Sequence, residues 1–261
     1  MFRDSDRHKL NFVGRGSPNS GIYIIMLILL FGQLMRGHTL PPTKQIVTVL
    51  ACFVVAISIH EFMHAFVALK LGDHTAERQG RVTLNPLSHF EPFGFMGIVI
   101  LSLGQPFIGW GKPVPVNPSQ LRAFPPPERH RAMALVALAG PMTNVGLAAL
   151  AALILRISGA TFIDVRELMY GDGSTYLYSV AWFFWVNVLL ASFNAIPLPP
   201  LDGYKIMVGT LPKFWTPVLA PLERYGFMIL FVVFFLGGSF GSSLTGEMID
   251  PVRQLLLRIL L

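Results

Sequence analysis

The 261-residue chain is 53% hydrophobic and 13% charged, about half the charge of an average soluble domain. That excludes an ordinary soluble globular protein and points to an all-α polytopic membrane protein. Its net charge of +6 falls in loops beside apolar runs, the positive-inside pattern, and no basic patch with interleaved aromatics marks a nucleic-acid binder. The single cysteine, Cys52, excludes an intrachain disulfide and a cysteine-based zinc site; it reads as a small buried hydrophobe.

In chain order, residues 1–20 form a polar lead with Arg3, Arg7, Lys9 and Arg15. The first apolar run starts only near Ile22, and no small-residue cleavage site follows it. The expectation is a first spanning helix over 21–35 with a cytoplasmic tail, not a cleaved signal peptide. A second apolar segment runs 45–71. The stretch "GRVTLNPL" then predicts a short β element near 80–90 and a turn at Asn85-Pro86. A third segment, 93–110, is interrupted by four glycines and a proline. Residues 111–130 are too proline-rich for a long helix. Further apolar segments run 131–157, 177–196 and 215–238. Measured against the roughly 20 residues that a span needs, this gives about five to six transmembrane segments. The membrane domain is expected over 21–240, with its core at 45–210. The tail 241–261 reads either as an interfacial amphipathic helix or as a segment packed on the bundle. No separate soluble domain is expected.

The second segment carries "HEFMH" at 60–64. Positions i and i+4 share a helix face, so His60 and His64 can point at one metal. Glu61 lies about 100° round the helix, where it reaches a water at that metal instead of ligating it. This is the division of labour in H-E-x-x-H enzymes, two ligands and a general base. A catalytic zinc takes a third protein ligand and leaves the fourth position open. Asp202, in "NAIPLPPLDGYK" just past the 177–196 segment, is the strongest candidate. An acid beside an apolar helix end is costly unless paired or ligated. The motif alone is weak evidence, but histidines and a glutamate within a spanning segment default to function.

With these stretches, the chain resembles the site-2 proteases, a family of intramembrane zinc metalloproteases. Besides "HEFMH", the resemblance rests on "AGPMTN" at 139–144 and "NAIPLPPLDG" at 194–203. "NPLSHFEPFG" at 85–94 and "GWGKPVPVNP" at 109–118 are similar to the connecting region of short bacterial and archaeal members, without PDZ or CBS domains. The resemblance covers about residues 45 to 210 and implies that His60, His64 and Asp202 ligate one Zn2+ per chain and that Glu61 activates the water. It implies that Asn194 holds the substrate or the developing oxyanion, and that Gly140, Pro141 and Asn144 shape the helix behind the site. Asn144 fits a catalytic role and a helix–helix hydrogen bond equally. One departure stands out: Glu91 occupies the place where the family often has Asp in H-x-D-P. His89 reads as an interfacial or structural histidine and not as a ligand.

The ligands also constrain topology. His60 lies about 15 residues into its helix, or roughly 22 Å along a 30 Å span, and Asp202 follows the end of its own helix. To share a metal the two helices must run parallel, so only one full crossing can lie between them. The interrupted segment 93–110 is therefore predicted to be re-entrant or a hairpin, which irregular backbone permits where protein covers it. Lys70, Arg78, Arg81, Lys112, Arg122, Arg129 and Arg131 then all face the cytoplasm, with the active site toward that side of the cell membrane.

The expected activity is intramembrane zinc endopeptidase, acting on a membrane-spanning protein substrate within the lipid bilayer. The alternatives are a membrane metal transporter, which usually shows repeated halves, and a catalytically inert helix-binding relative, which would not need Glu61. The sequence sets neither the substrate nor the oligomeric state.

Overall fold

The structure is a computed structural model that describes residues 40–104, 109–125, 128–160, 165, 167–169, 171, 175–237 and 244–260. The tail 1–20 and the apolar run 21–35 lie outside them. Everything below concerns the compact unit Pro41–Leu261.

The described residues are mostly helical. Helix α1 spans Thr43–Lys70 and α2 Thr75–Arg78. Helix α3 spans Pro92–Ser102, α4 Arg129–Ile157 and α5 Thr175–Asn194. Helix α6 spans Asp202–Thr210, α7 Thr216–Gly237 and α8 Leu244–Leu260. Among the described residues, α1, α4 and α5 are long and apolar enough to cross a membrane.

These three helices form the core. At the N-terminal ends of α1 and α5, the Lys44 ammonium sits 4.3 Å from the centre of the Tyr178 ring. Further along, Val49, Phe53 and Ile57 pack with Val186 and Leu190. At the far end His60 meets Asp202, just past α5. Helices α1 and α5 are therefore parallel. Helix α4 runs against both: its early Val136 touches His64, and its late Ala148, Ala152 and Leu155 pack with Ala181, Phe184 and Val188 of α5.

Helix α3 has 11 residues, about 16 Å at 1.5 Å per residue, short of the ~30 Å hydrocarbon layer. Glu91 caps it, its carboxylate accepting from the Gly94 N–H, and Pro92 opens its first turn. After it, the chain returns alongside. The Lys112 N–H donates to the His89 carbonyl at 2.8 Å. A Cβ on Gly94 would lie 1.9 Å from the Trp110 carbonyl oxygen, so glycine is what lets the two arms touch.

The short β element expected near 80–90 is absent. Residues 81–85 carry no strand, and Pro86–His89 forms a 3-10 turn capped by the Asn85 side chain, which accepts from the Leu87 N–H at 3.1 Å. Val82, Thr83 and Leu84 have strand propensity, but a strand exists only with a ladder partner. Here side chains take the place of the ladder. His89 Nε2 bonds the Thr83 carbonyl at 2.8 Å, and Arg81 Nη2 donates to the Lys112 carbonyl at 2.5 Å. Asp73, fully buried, ties the end of α1 to the same layer: it accepts from the Thr75 N–H at 2.9 Å and from the Asn117 N–H at 2.6 Å.

The C-terminal helix α8 packs one face on the bundle. Ile249 of α8 is buried with Ile196, Leu201 and Leu230, and Leu256 joins the main core beside Phe184 and Leu155.

Candidate active site

The site forms where α1, α4 and the start of α6 converge. Helix α5 ends at Asn194, and the prolines at 197, 199 and 200 prevent its continuation. The chain turns and restarts at Asp202, whose carboxylate sits in the first turn of α6, where the helix dipole favours a negative charge. Gly203 makes the sharp return possible: a Cβ there would lie 2.4 Å from the Ala195 carbonyl oxygen and 2.5 Å from that of Ile196.

Asp202 Oδ2 lies 3.1 Å from His60 Nε2 and 3.0 Å from His64 Nε2, and the two Nε2 atoms are 3.0 Å apart. All three residues are buried. Ligand atoms at about 2.0–2.1 Å from a tetrahedral zinc stand ~3.3 Å from one another, so this triangle is close to the size of a zinc site. The Nδ1 atoms are committed elsewhere. His60 Nδ1–H donates to Asn144 Oδ1 at 2.6 Å, and His64 Nδ1–H donates to the Val136 carbonyl at 2.7 Å. Such partners fix the tautomer and leave the Nε2 lone pairs for a metal. Asp202 Oδ1 accepts from Lys205 Nζ at 3.3 Å. The donor set, two imidazoles and one carboxylate, matches known catalytic zinc sites.

Gly140 is the floor of this cluster. A Cβ there would fall 2.4 Å from His64 Nε2 and 2.6 Å from His60 Nε2. The next residue, Pro141, withholds the N–H that would bond the Ala137 carbonyl. So in "GPMTN" glycine makes room for the imidazoles and Asn144, one turn on, holds His60.

Glu61 is half-buried and stands outside the three-residue cluster. It faces a cavity of about 140 Å³ that His60, His64, Asp202, Asn194 and Lys205 also line. The returning segment closes one side: a Cβ on Gly111 would lie 3.3 Å from Glu61 Oε1. An adjoining, mostly apolar cavity of about 270 Å³ runs past Trp110, Leu190, Phe193 and Leu230. Asn194 Nδ2 donates to the Leu190 carbonyl at 3.0 Å and lines both cavities.

The comparisons with known proteins fit this geometry. Residues 169–237 match the model of peptidase family M50. The chain is 36% identical over 208 residues to "Putative zinc metalloprotease YwhC" of Bacillus subtilis, covering 79% of this chain and 87% of that protein. An alignment of that extent takes in both "HEFMH" and Asp202 wherever it starts. The chain belongs to peptidase family M50, the site-2 protease family. It is 31% identical over 203 residues to "Putative zinc metalloprotease Rip2" of Mycolicibacterium smegmatis, with 76% of this chain and 72% of that one covered. With MJ0611 of Methanocaldococcus jannaschii, named in the same class, identity is 30% over 172 residues, 66% and 74% of the two chains. No solved structure matches at a significant level.

In this M50 peptidase, Gly140 and Asn144, which support the cluster, were already marked by "AGPMTN", but two further supports were not. Asn187, fully buried, receives the Asn144 amide at 2.9 Å; a lone asparagine within "FFWVNVLLASF" is itself an intramembrane polar signal. Arg81, 4% exposed, had no such signal, because only the fold brings it to the Lys112 carbonyl. Burial pulls its guanidinium pKa down and the Glu61 carboxylate draws it part of the way back. His89 stands apart from the three-residue cluster and braces the 81–89 loop. His89→Gln should therefore leave zinc stoichiometry unchanged while making that loop more susceptible to proteolysis; loss of zinc, measured by mass spectrometry of metals, would contradict this placement.

Proposed function

We propose that the chain is an intramembrane zinc endopeptidase, hydrolysing peptide bonds within or near membrane-spanning helices of protein substrates. The observation that carries this reading is the buried triangle of His60, His64 and Asp202 facing one cavity with Glu61, with both histidines on α1, a helix apolar enough to cross a membrane, and Asp202 at the start of the short helix that follows α5. Zinc held by the three would lower the pKa of a water toward 7 and polarise the scissile carbonyl. Glu61 takes the proton of the attacking water and passes it to the leaving amine as the C–N bond breaks and the C–O bond forms. Asn194 keeps one amide N–H on Leu190 and offers its second to the substrate carbonyl. A helix hides its carbonyls in its own hydrogen bonds, so the substrate must unwind locally at the site.

In this reading α3 and the returning segment enter and leave the bilayer by one face. The support is that the basic connections gather at one end of the bundle: Arg78 Nη2 bonds Gln120 Oε1 at 3.2 Å, and the Ala123 N–H donates to the Leu71 carbonyl at 3.2 Å. That end is cytoplasmic by the positive-inside rule, and the active site lies toward it.

The test is purified protein reconstituted with single-span substrates. Cleavage should fall within the spanning segment, stop on chelation and return with zinc. Zinc flux into proteoliposomes without cleavage would replace this reading with a transporter. A cysteine placed at 117–125 should be labelled from the cytoplasmic side, and periplasmic labelling would overturn the topology.

A further inference from the structure

We propose that Asn187 is a positioning residue for the metal site, acting through Asn144 to decide which nitrogen of His60 faces the metal. This rests on the reading of His60, His64 and Asp202 as zinc ligands.

A carboxamide can be turned end for end, exchanging its oxygen and nitrogen, so Asn144 alone does not fix its partner. The chain of bonds beyond it does. Asn187 Nδ2 donates to the Phe183 carbonyl at 2.8 Å. A carbonyl only accepts, so the Asn187 amide nitrogen must be at that end and its Oδ1 must face Asn144. Asn144 then presents Nδ2 to Asn187, at 2.9 Å, and Oδ1 to His60, at 2.6 Å. His60 must carry its hydrogen on Nδ1, which leaves Nε2 bare, 3.1 Å from Asp202 Oδ2. A backbone carbonyl one helix away thus sets the tautomer of a ligand.

Without Asn187, Asn144 can rotate and offer N–H to His60 Nδ1. That favours the opposite tautomer, with hydrogen on Nε2 where a metal must bind. Asn144 and Asn187 are both fully buried, so bulk water does not correct the orientation. His64 needs no such relay, because its Nδ1 partner is the Val136 backbone carbonyl, which cannot flip. Only one of the two imidazoles depends on side-chain amides, and the two amides line up behind that one.

The experiment compares zinc affinity, by chelator competition, in the purified full chain and its Asn187→Ala, Asn144→Ala and doubly substituted forms. Loss of an outer partner of a metal-bound histidine typically weakens metal binding about 10–100-fold. Asn187→Ala is expected to weaken zinc about tenfold, and Asn144→Ala by at least as much. The double variant should be no weaker than Asn144→Ala alone, because Asn187 acts only through Asn144. Asn187→Asp should bind near the wild-type value: buried and neutral, its C=O accepts from Asn144 and its O–H donates to Phe183. Should Asn187→Ala not fold, Asn187→Leu carries the same expectation with the volume kept. Wild-type affinity in either apolar variant, or additive losses in the double variant, would overturn the proposal and leave Asn187 as a helix–helix bond. If the wild-type chain itself binds no zinc, the zinc-site reading fails and this proposal with it; if it binds one zinc and Asn187→Ala binds equally, only this proposal fails.

Discussion

Glu61→Gln is expected to lower cleavage by about 10²–10⁴-fold, the usual contribution of a positioned general base, while zinc content stays at one per chain. The separation follows from geometry. Glu61 lies outside the His60, His64 and Asp202 triangle but lines the same cavity. Gln has the same shape, so the close approach of Gly111, where a Cβ would lie 3.2 Å from Glu61 Cγ and 3.3 Å from Oε1, is unchanged and the returning segment stays in place. Only the ability to accept a proton from the attacking water is removed. Membrane proteomics of cells carrying wild type or Glu61→Gln should then show single-span proteins accumulating in the variant. Cleavage by Glu61→Gln at the wild-type rate would remove Glu61 from the mechanism, and loss of zinc would mean that it supports the metal site instead.

The long elements were legible because their signals are local. The apolar runs around 45–71, 131–157 and 177–196 correspond to α1, α4 and α5, with bounds shifted by a few residues. The parallel run of α1 and α5 was also within reach, since two metal ligands near the C-terminal ends of two helices leave no other arrangement. The β element was misjudged for a physical reason. Propensity describes how side chains sit on a pleated surface, but it does not supply the neighbouring strand, and Arg81 and His89 spend their side chains on Lys112 and Thr83 backbone instead. The tail could not be decided from sequence because an amphipathic helix suits a lipid interface and a protein groove alike; Ile249 and Leu256 pack one of its faces against the bundle.

The cluster residues were visible because spacing and cost mark them: histidines at i and i+4, and an acid past an apolar helix. Of their supports, Asn144 stood out within "AGPMTN" and holds His60. Arg81 meets the Lys112 carbonyl and Asp73 meets Asn117 only once the loops are folded. Asn187 carried a signal that went unread, a polar residue amid apolar neighbours, and it is fully buried in the fold. The Glu91 departure also has a reading now. Its carboxylate reaches forward to cap α3, a task that asks for an oxygen acceptor near the Gly94 N–H and tolerates one more methylene.

Gly140→Ala is expected to lose the metal that Glu61→Gln keeps, while the chain still folds. In a helix interior, alanine is favoured over glycine by about 1 kcal/mol, so α4 itself gains. The new methyl, however, would stand 2.4 Å from His64 Nε2, 2.5 Å from His60 Cε1 and 2.6 Å from His60 Nε2. Neither imidazole can swing aside cheaply, since each is held by its Nδ1, one on Asn144 and the other on the Val136 carbonyl. The clash is therefore relieved by displacing ligand atoms from the triangle. Because even outer partners cost about 10–100-fold in metal affinity, zinc binding should fall by at least about 100-fold, and cleavage with it, while the metal-free protein still folds with a thermal transition level or somewhat lowered, since the cost of overpacking, about 1–3 kcal/mol, offsets or exceeds the gain in the helix. Gly146, further along the same helix, is the control, because a Cβ added there would meet nothing within 4 Å: Gly146→Ala should leave zinc affinity unchanged. A Gly140→Ala protein that holds one zinc at wild-type affinity would show that α4 can draw back from α1, and the close fit of "GPMTN" against "HEFMH" would no longer explain why glycine stands there.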